Sequence, residues 1–330
     1  MNNGLVRIKN QPGSCESHIL WSLWDKCNYR CSYCTPWNYA GNLSNWLTLD
    51  KAIEVVDSIH EHYIEKLGKK FVQISFTGGE PTLFRRFKEL CQFIHEKNIF
   101  LGITTNGSRD WNYWSEISSL FQTISISYHP QFSNDDALLN LLIQMEKSPQ
   151  TCLPAVRLMM HSNLELWSKC VEFSKKLKEH LTNWAIEFTR IQNDFGEGMT
   201  PVHYTEDQLA FLVSSQFEEK IAERGLIPRN QIVIDQMAYY ENGSEFRLRT
   251  NDLLNRDEIY FKGWSCDAGL ESLFIGPSGG VYRAGCKVDG EIGSFGEAQK
   301  FELPSQGVIC PFKKCSCTSD ISISKVELRL

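Results

Sequence analysis

The chain predicts an α/β fold: a partial (β/α)6 barrel followed by a small cysteine-rich β-hairpin domain. Three observations carry that expectation. Short β-rich runs alternate with amphipathic stretches six times between residues 18 and 224, the rhythm of a parallel sheet with helices outside. Six such units fall short of the eight that close a barrel. Past residue 224 the alternation stops, Asn/Gly turns multiply, and five of the 12 cysteines fall between residues 266 and 317.

The elements follow in order. Residues 18–24 read as the first strand, leading into a cysteine loop. Thr48 can cap a helix over 49–66, whose Ile53, Val56, Ile59 and Ile64 roughly share one face. The second unit is a strand at 71–77 and a helix at 83–97. The third is a strand at 100–105 and a helix at 111–120. Ile124, Ile126 and Tyr128 alternate in a strand over 123–128, and a helix over 135–146 follows. The last two units pair strands at 154–160 and 184–191 with helices at 164–181 and 206–224. Leu273-Phe274-Ile275, a turn at Pro277-Ser278-Gly279-Gly280, and Val281-Tyr282-Arg283 form a hairpin. The expected organisation is an N-terminal extension (1–17), the partial barrel (18–226) and a linker with the cysteine-rich domain (227–330), with the boundary near Ile227. No repeat or low-complexity segment interrupts it.

Composition excludes several classes. Of 330 residues, 42% are hydrophobic and 22% charged, an ordinary globular balance. The formal charge is −6 and no Lys/Arg block stands out, which argues against nucleic acid as the main partner. No apolar run approaches the roughly 18 residues of a membrane span. Met1-Asn2-Asn3-Gly4 lacks the basic and apolar regions of an export signal, so the expected compartment is the cytoplasm. Cysteines there are ligands or free thiols more often than disulfides.

The cysteines cluster at two places. Cys27, Cys31 and Cys34 can hold an iron–sulfur cube through three of its irons, leaving the fourth open to another ligand. A zinc site would need a fourth donor, and no His stands near. The C-x3-C-x2-C spacing, with Tyr33 before the last cysteine, resembles the signature of the radical S-adenosylmethionine (SAM) superfamily. The resemblance implies a 4Fe–4S cluster whose open iron is chelated by SAM. Reductive cleavage then yields a 5′-deoxyadenosyl radical.

Gly78-Gly79-Glu80-Pro81, directly after the second strand, looks like that family's GGE motif. Glycines let a backbone approach a ligand closely. Main-chain groups there would meet the amino end of SAM, and Glu80 would help hold its ammonium. By the same resemblance, Asn106 and Ser127, at the ends of the third and fourth strands, reach the SAM ribose or carboxylate. Arg157 or Arg190, on the fifth and sixth strands, would pair with the carboxylate. The alternative for each is a polar strand residue bonded to its neighbours. His129 and His161 read as capping or packing residues. Trp37, Tyr39 and Trp46 can wall the pocket mouth, or Trp46 can pack under the first helix.

The second set is Cys266, Cys286, Cys310, Cys315 and Cys317. It resembles the twitch domain, a half-length SPASM domain that holds one auxiliary 4Fe–4S cluster on four thiolates. A structural zinc site is the competing reading. Cys317 is the preferred ligand of the last pair. Cys315 is the less secure ligand and the candidate spare thiol. A spare thiol can return a hydrogen atom to a substrate radical; otherwise it is an inert buried cysteine.

The resemblance covers roughly residues 18–318. It implies a ferredoxin or flavodoxin as reductant and hydrogen abstraction from substrate. The first expectation for substrate is a ribosomally made peptide, modified by crosslink or epimerisation. Against it, the segment before the barrel is too short for a leader-binding winged helix. The second is dehydrogenation or epimerisation of a small molecule such as a sugar or aminocyclitol. The third, from another class, is an iron–sulfur electron carrier or scaffold, for which a GGE motif has no use.

Overall fold

The computed structural model describes residues 4–10, 15–148, 153–191, 202–214, 236–248, 253, 258–297, 301–315 and 317–328. Six strands form the parallel sheet that the alternation predicts: β2 (Ser17–Trp24), β3 (Val72–Gly78), β4 (Phe100–Thr105), β5 (Phe121–Tyr128), β6 (Leu153–Met160) and β7 (Ala185–Arg190). Strand β1 (Leu5–Asn10) precedes them and belongs to a second sheet. The connecting helices are α1 (Leu49–Ile59, continued by a π-helical stretch His60–Lys66), α2 (Phe87–Glu96), α3 (Trp111–Trp114), α4 (Asp135–Lys147), α5 (Leu164–His180) and α6 (Glu206–Ser214).

Strand alternation gives the parallel sheet two unlike faces. Ile19, Trp21, Ile74, Phe76, Ile124, Ile126, Val156 and Leu158 are buried in one apolar core with the helices. Residues at the alternate positions of these strands and of β7, among them Ser75, Thr123, Ser125, Arg157, Glu187 and Thr189, are only partly buried. The sheet therefore carries a polar face opposite the helices, above which a reaction chamber can sit. His18 bonds Ser75 Oγ at 2.7 Å, and Gln73 Nε2 donates to Ser75 and Thr123 there.

Helix starts follow their caps. Thr48 accepts from Lys51 N, Asn134 from Ala137 N, and Asn163 from Glu165 N and Leu166 N. Two expected helices are shorter in the structure. The one expected over 83–97 begins at Phe87, because Pro81–Leu83 forms a 3-10 turn capped by the Glu80 carboxylate. The one expected over 111–120 is a single turn, α3, then a 3-10 turn, Ser118–Leu120. Ile117, buried in the core with φ −131°, interrupts it. The end of the helix expected over 206–224, and the boundary at Ile227, lie outside the described residues.

The C-terminal strands are β8 (Gln236–Tyr240), β9 (Glu245–Leu248), β10 (Ser265–Cys266), β11 (Ser272–Ile275), β12 (Gly280–Tyr282), β13 (Gly293–Ser294), β14 (Val308–Ile309) and β15 (Lys325–Val326), with helix α7 (Thr318–Ile321) before the last. The hairpin β11–β12 is joined to the barrel. Strand β11 pairs parallel with β2, Ser272 opposite His18 and Ile275 opposite Trp21, so the order is β13-β12-β11-β2-β3-β4-β5-β6-β7. The segment before residue 18, to which the sequence assigned no element, supplies β1. It pairs antiparallel with both β8 and β15 in the sheet β14-β10-β15-β1-β8-β9.

Candidate active site

The Cys27–Cys34 loop leaves the carboxyl end of β2, the end where active sites of parallel α/β folds form. Its base is tied by Asp25, which accepts from Leu43 N at 2.7 Å, Ser44 N at 3.3 Å and Ser44 Oγ. Burial alone would raise the Asp25 carboxyl, but the Ser44 and Leu43 donors outweigh it and hold it below its ordinary value.

The Gly-Gly-Glu turn locks against this loop. Gly79 N donates to Trp24 O and Glu80 N to Lys26 O, at 2.6 and 2.8 Å. A Cβ on Gly79 would stand 2.5 Å from Lys26 O and 2.6 Å from Asn38 O, so only glycine admits the approach. Gly78, at φ +113°, is likewise crowded by Ser22 Oγ and Trp24 O. The Glu80 carboxylate, 0% exposed, accepts from Thr82 N, Thr82 Oγ1, Thr105 Oγ1 and Asn106 N. It staples the ends of β3 and β4, and in this arrangement those four protein donors engage both its oxygens.

Two of the three thiols, Cys27 and Cys34, receive N–H donors aimed at sulfur. Tyr29 N lies 3.3 Å and Asn106 Nδ2 3.8 Å from Cys27 Sγ, and Asn38 Nδ2 lies 3.4 Å from Cys34 Sγ. Burial raises all three thiols, Cys31 to about 12, and the neighbouring Cys27 and Cys34 add to the Cys31 shift. Among the described residues no three His, Cys, Asp or Glu side chains converge tightly enough to hold one metal ion. The loop thiols are nonetheless close enough to oppose one another's ionisation. Buried sulfurs with amide donors suit thiolate ligands of an iron–sulfur cube, so the donor set fits that group.

The remaining candidates divide. Asn106 joins the loop, since its Nδ2 also donates to Asn28 Oδ1 at 2.8 Å. Tyr33 OH bonds His129 Nδ1 at 2.8 Å, and the two rings stack, with the His161 ring also 6.0 Å from that of Tyr33. His129 is thus a partner of the cysteine loop, held neutral by burial, which pushes it down to about 4. Gln131 makes a second tie to Ser32 N. Ser127, on β5, is buried beside the polar face. Arg157 pairs with Glu187 at 3.2 Å on that face, whereas Arg190 shares the opposite face with Phe188 and lies over Tyr204. Trp46 bonds Pro277 O through its indole, tying the loop to the C-terminal hairpin.

The second cysteine set meets around one cavity. Cys266, Cys286, Cys310 and Cys315 line it, with Val288, Val308, Phe312 and Ile323 as apolar wall. Cys315 is among the lining residues; Cys317, the ligand preferred from the sequence, is not. Cys317 caps α7, with Sγ 3.4 Å from where a Cβ on Gly285 would stand. Burial raises each of Cys266, Cys286, Cys315 and Cys317. Asn28, Asn38, Asp320 and Lys325 are site residues that the sequence did not mark. One asparagine inside the cysteine loop and one just after it were the available signal; for the last two there was none.

An open parallel α/β sheet with a three-cysteine loop and a Gly-Gly-Glu turn at its strand ends defines a class. Residues 21–168 match the sequence profile of the Radical SAM superfamily, and the chain carries a radical SAM domain. It is 34% identical over 117 residues to GTP 3′,8-cyclase of Pectobacterium atrosepticum, a match covering 33% of this chain and 33% of that protein. With the Haemophilus influenzae GTP 3′,8-cyclase it shares 37% over 96 residues, 28% of this chain and 26% of that one. The matches span a third or less of these relatives' length. Among solved structures, Streptococcus suis SuiB bound to S-adenosylmethionine superposes with a TM-score of 0.51 at 16% identity, over 82% of this chain and 60% of that one. SuiB bound to its precursor peptide SuiA gives 0.51 at 15%, over 88% and 62%. At such identity the likeness is one of fold. No helix among the described residues is long and apolar enough to cross a membrane.

Proposed function

We propose that this chain is a radical SAM enzyme that abstracts a hydrogen atom from a ribosomally made peptide, leading to a crosslink or an epimerised residue. One observation carries the proposal: Cys27, Cys31 and Cys34 gather beside the Gly-Gly-Glu turn, at the strand ends that border the polar sheet face. A 4Fe–4S cluster held there by three thiolates would supply the electron for cleaving SAM to methionine and the 5′-deoxyadenosyl radical. The protein's part is to hold SAM, exclude water and aim one C–H bond. We assign the SAM contacts to Tyr33, the main chain of Gly78 and Gly79, Asn106, Ser127 and Arg157. Glu80 acts by fixing the turn and Asn106 N. Arg190, on the other face, is the weakest of the candidates for the carboxylate.

Cys266, Cys286, Cys310 and Cys315 would hold an auxiliary 4Fe–4S cluster, with Cys317 the spare thiol; four thiols around one cavity support this. A reduced ferredoxin or flavodoxin, in a cytoplasmic setting, would supply electrons. The fold shared with SuiB, seen with a precursor peptide, supports a peptide substrate. A small-molecule substrate is the second reading, favoured by the relatives named GTP 3′,8-cyclase. A sugar or aminocyclitol belongs to that reading.

The test is anaerobic. The dithionite-reduced protein should convert SAM to 5′-deoxyadenosine, and Cys27→Ala, Cys31→Ala or Cys34→Ala should each abolish it. Undiminished turnover in the triple variant rejects the proposal. Iron bound without any SAM cleavage points instead to an electron carrier or scaffold. Deuterium transfer to 5′-deoxyadenosine from a labelled peptide, against a labelled nucleotide or sugar, separates the two substrate readings.

A further inference from the structure

Besides the exposed Lys314, the wall of the second cysteine cavity contains two buried opposite charges that the chemistry of thiolate ligation does not require. Lys325 and Asp320 both line it, and both are 2% exposed. Burying an ammonium or a carboxylate is costly unless its hydrogen bonds are replaced. Here they are. Lys325 Nζ donates to Asp320 O at 2.5 Å, Ile323 O at 2.8 Å and Ile321 O at 3.4 Å, and stands 5.2 Å over the Phe261 ring. Three carbonyl acceptors match the three donors of an ammonium; a neutral amine has only two. The Asp320 carboxylate accepts from Gly285 N at 2.9 Å and Cys286 N at 2.5 Å.

The charges adjoin different cysteines. Lys325 is the direct cross-strand partner of Cys266 in the β10–β15 ladder. Asp320 is bonded to the main chain of Cys286. Charges this close act strongly where water is excluded. The potential of an iron–sulfur cluster follows net charge, hydrogen bonding and exposure.

We propose that Lys325 and Asp320 are opposed positioning charges that set the reduction potential of the cluster held by Cys266, Cys286, Cys310 and Cys315. This rests on the auxiliary-site reading above. Lys325 stabilises the reduced, more negative form; Asp320 stabilises the oxidised form. Neither residue is a ligand, so neither removal should change iron stoichiometry.

The experiment uses the full chain carrying Cys27→Ala, Cys31→Ala and Cys34→Ala, reconstituted with iron and sulfide, so that one site is observed. Iron content, the visible spectrum and an EPR-monitored redox titration are the readouts. Adding Lys325→Met should lower the midpoint, Asp320→Asn should raise it, and Lys325→Arg should stay near the parent. If Lys325→Met loses its iron, a raised midpoint in Asp320→Asn with Lys325→Arg near the parent still supports the proposal. Variants that keep their iron and leave the midpoint unmoved, or that all shift it in one direction, overturn it. A parent that binds no iron overturns the auxiliary-site reading, and this inference with it.

Discussion

The two cysteine sites are built in opposite ways. The first gathers its thiols from one loop, residues 27–34, hung on the end of β2 and pinned by Asp25 and the Gly-Gly-Glu turn. Two of its sulfurs, those of Cys27 and Cys34, receive N–H donors from Tyr29, Asn38 and Asn106. The second gathers its thiols from separated segments: Cys266 in β10, Cys286 after β12, Cys310 after β14, and Cys315 before α7. Its setting is an apolar wall with two buried charges. A local site depends on one loop's conformation, and a dispersed one depends on the whole domain being folded. Damage to the two should therefore differ in kind.

The largest expected effect breaks the first site alone. The wild-type chain should hold about eight irons, and the triple alanine variant of Cys27, Cys31 and Cys34 about four, with 5′-deoxyadenosine formation lost. Loss of all iron would mean that the second site does not fill independently, and the contrast between the sites would fail.

Next comes the ligand set of the dispersed site. Cys315→Ala should lose the auxiliary iron, while Cys317→Ala should keep it. Iron assay and spectra of the two single variants decide, and the reverse result would restore the order that the sequence suggested. If Cys317→Ala retains iron but accumulates 5′-deoxyadenosine without epimerised product, Cys317 is a hydrogen-atom donor.

A third comparison strikes the support of the first site without touching a ligand. Gly79→Ala pushes a methyl group into the Lys26 and Asn38 carbonyls. Overpacking of this kind costs about 1–3 kcal/mol. The expected outcome is a lower melting temperature and poorer iron loading of the first site, with the auxiliary iron retained. Equal loss of both irons would mean that the turn supports the whole fold.

The contrast also explains what the sequence disclosed. The local site was legible because its ligands and the Gly-Gly-Glu turn are contiguous, and strand alternation in Ile124, Ile126 and Tyr128 marks the helix side of the sheet. Asn106, at the end of β4, was marked as well, but the partners contributed by the C-terminal strands were not. Nothing in sequence aligns Lys325 with Cys266, because that pairing exists only once β15 lies beside β10. Cys315 and Cys317 were hard to rank for a related reason: two residues so close look equivalent in sequence. Strand β1 carried too little alternation to read, with Leu5 and Ile8 its buried pair.

The smallest effect concerns the seam between the regions. His18 lies on β2, opposite Ser272 of β11, and bonds Ser75 Oγ at 2.7 Å. Burial pushes its imidazole from 6.5 down to about 4. The unfolded chain takes up this proton as pH falls through 6.5, but the folded chain resists until about pH 4. Stability from neutral His18 is thus complete above pH 6.5 and declines between 6.5 and 4. A tenfold difference in proton affinity between the folded and unfolded chain corresponds to about 1.4 kcal/mol, so His18 should account for roughly 1–2 kcal/mol of the loss on going to about pH 5. Urea unfolding of wild type and His18→Gln across that range checks it. The variant should be the less acid-sensitive of the two, with the difference largest toward the acid end. Parallel curves would mean that His18 titrates alike in both states and that the seam is open to water.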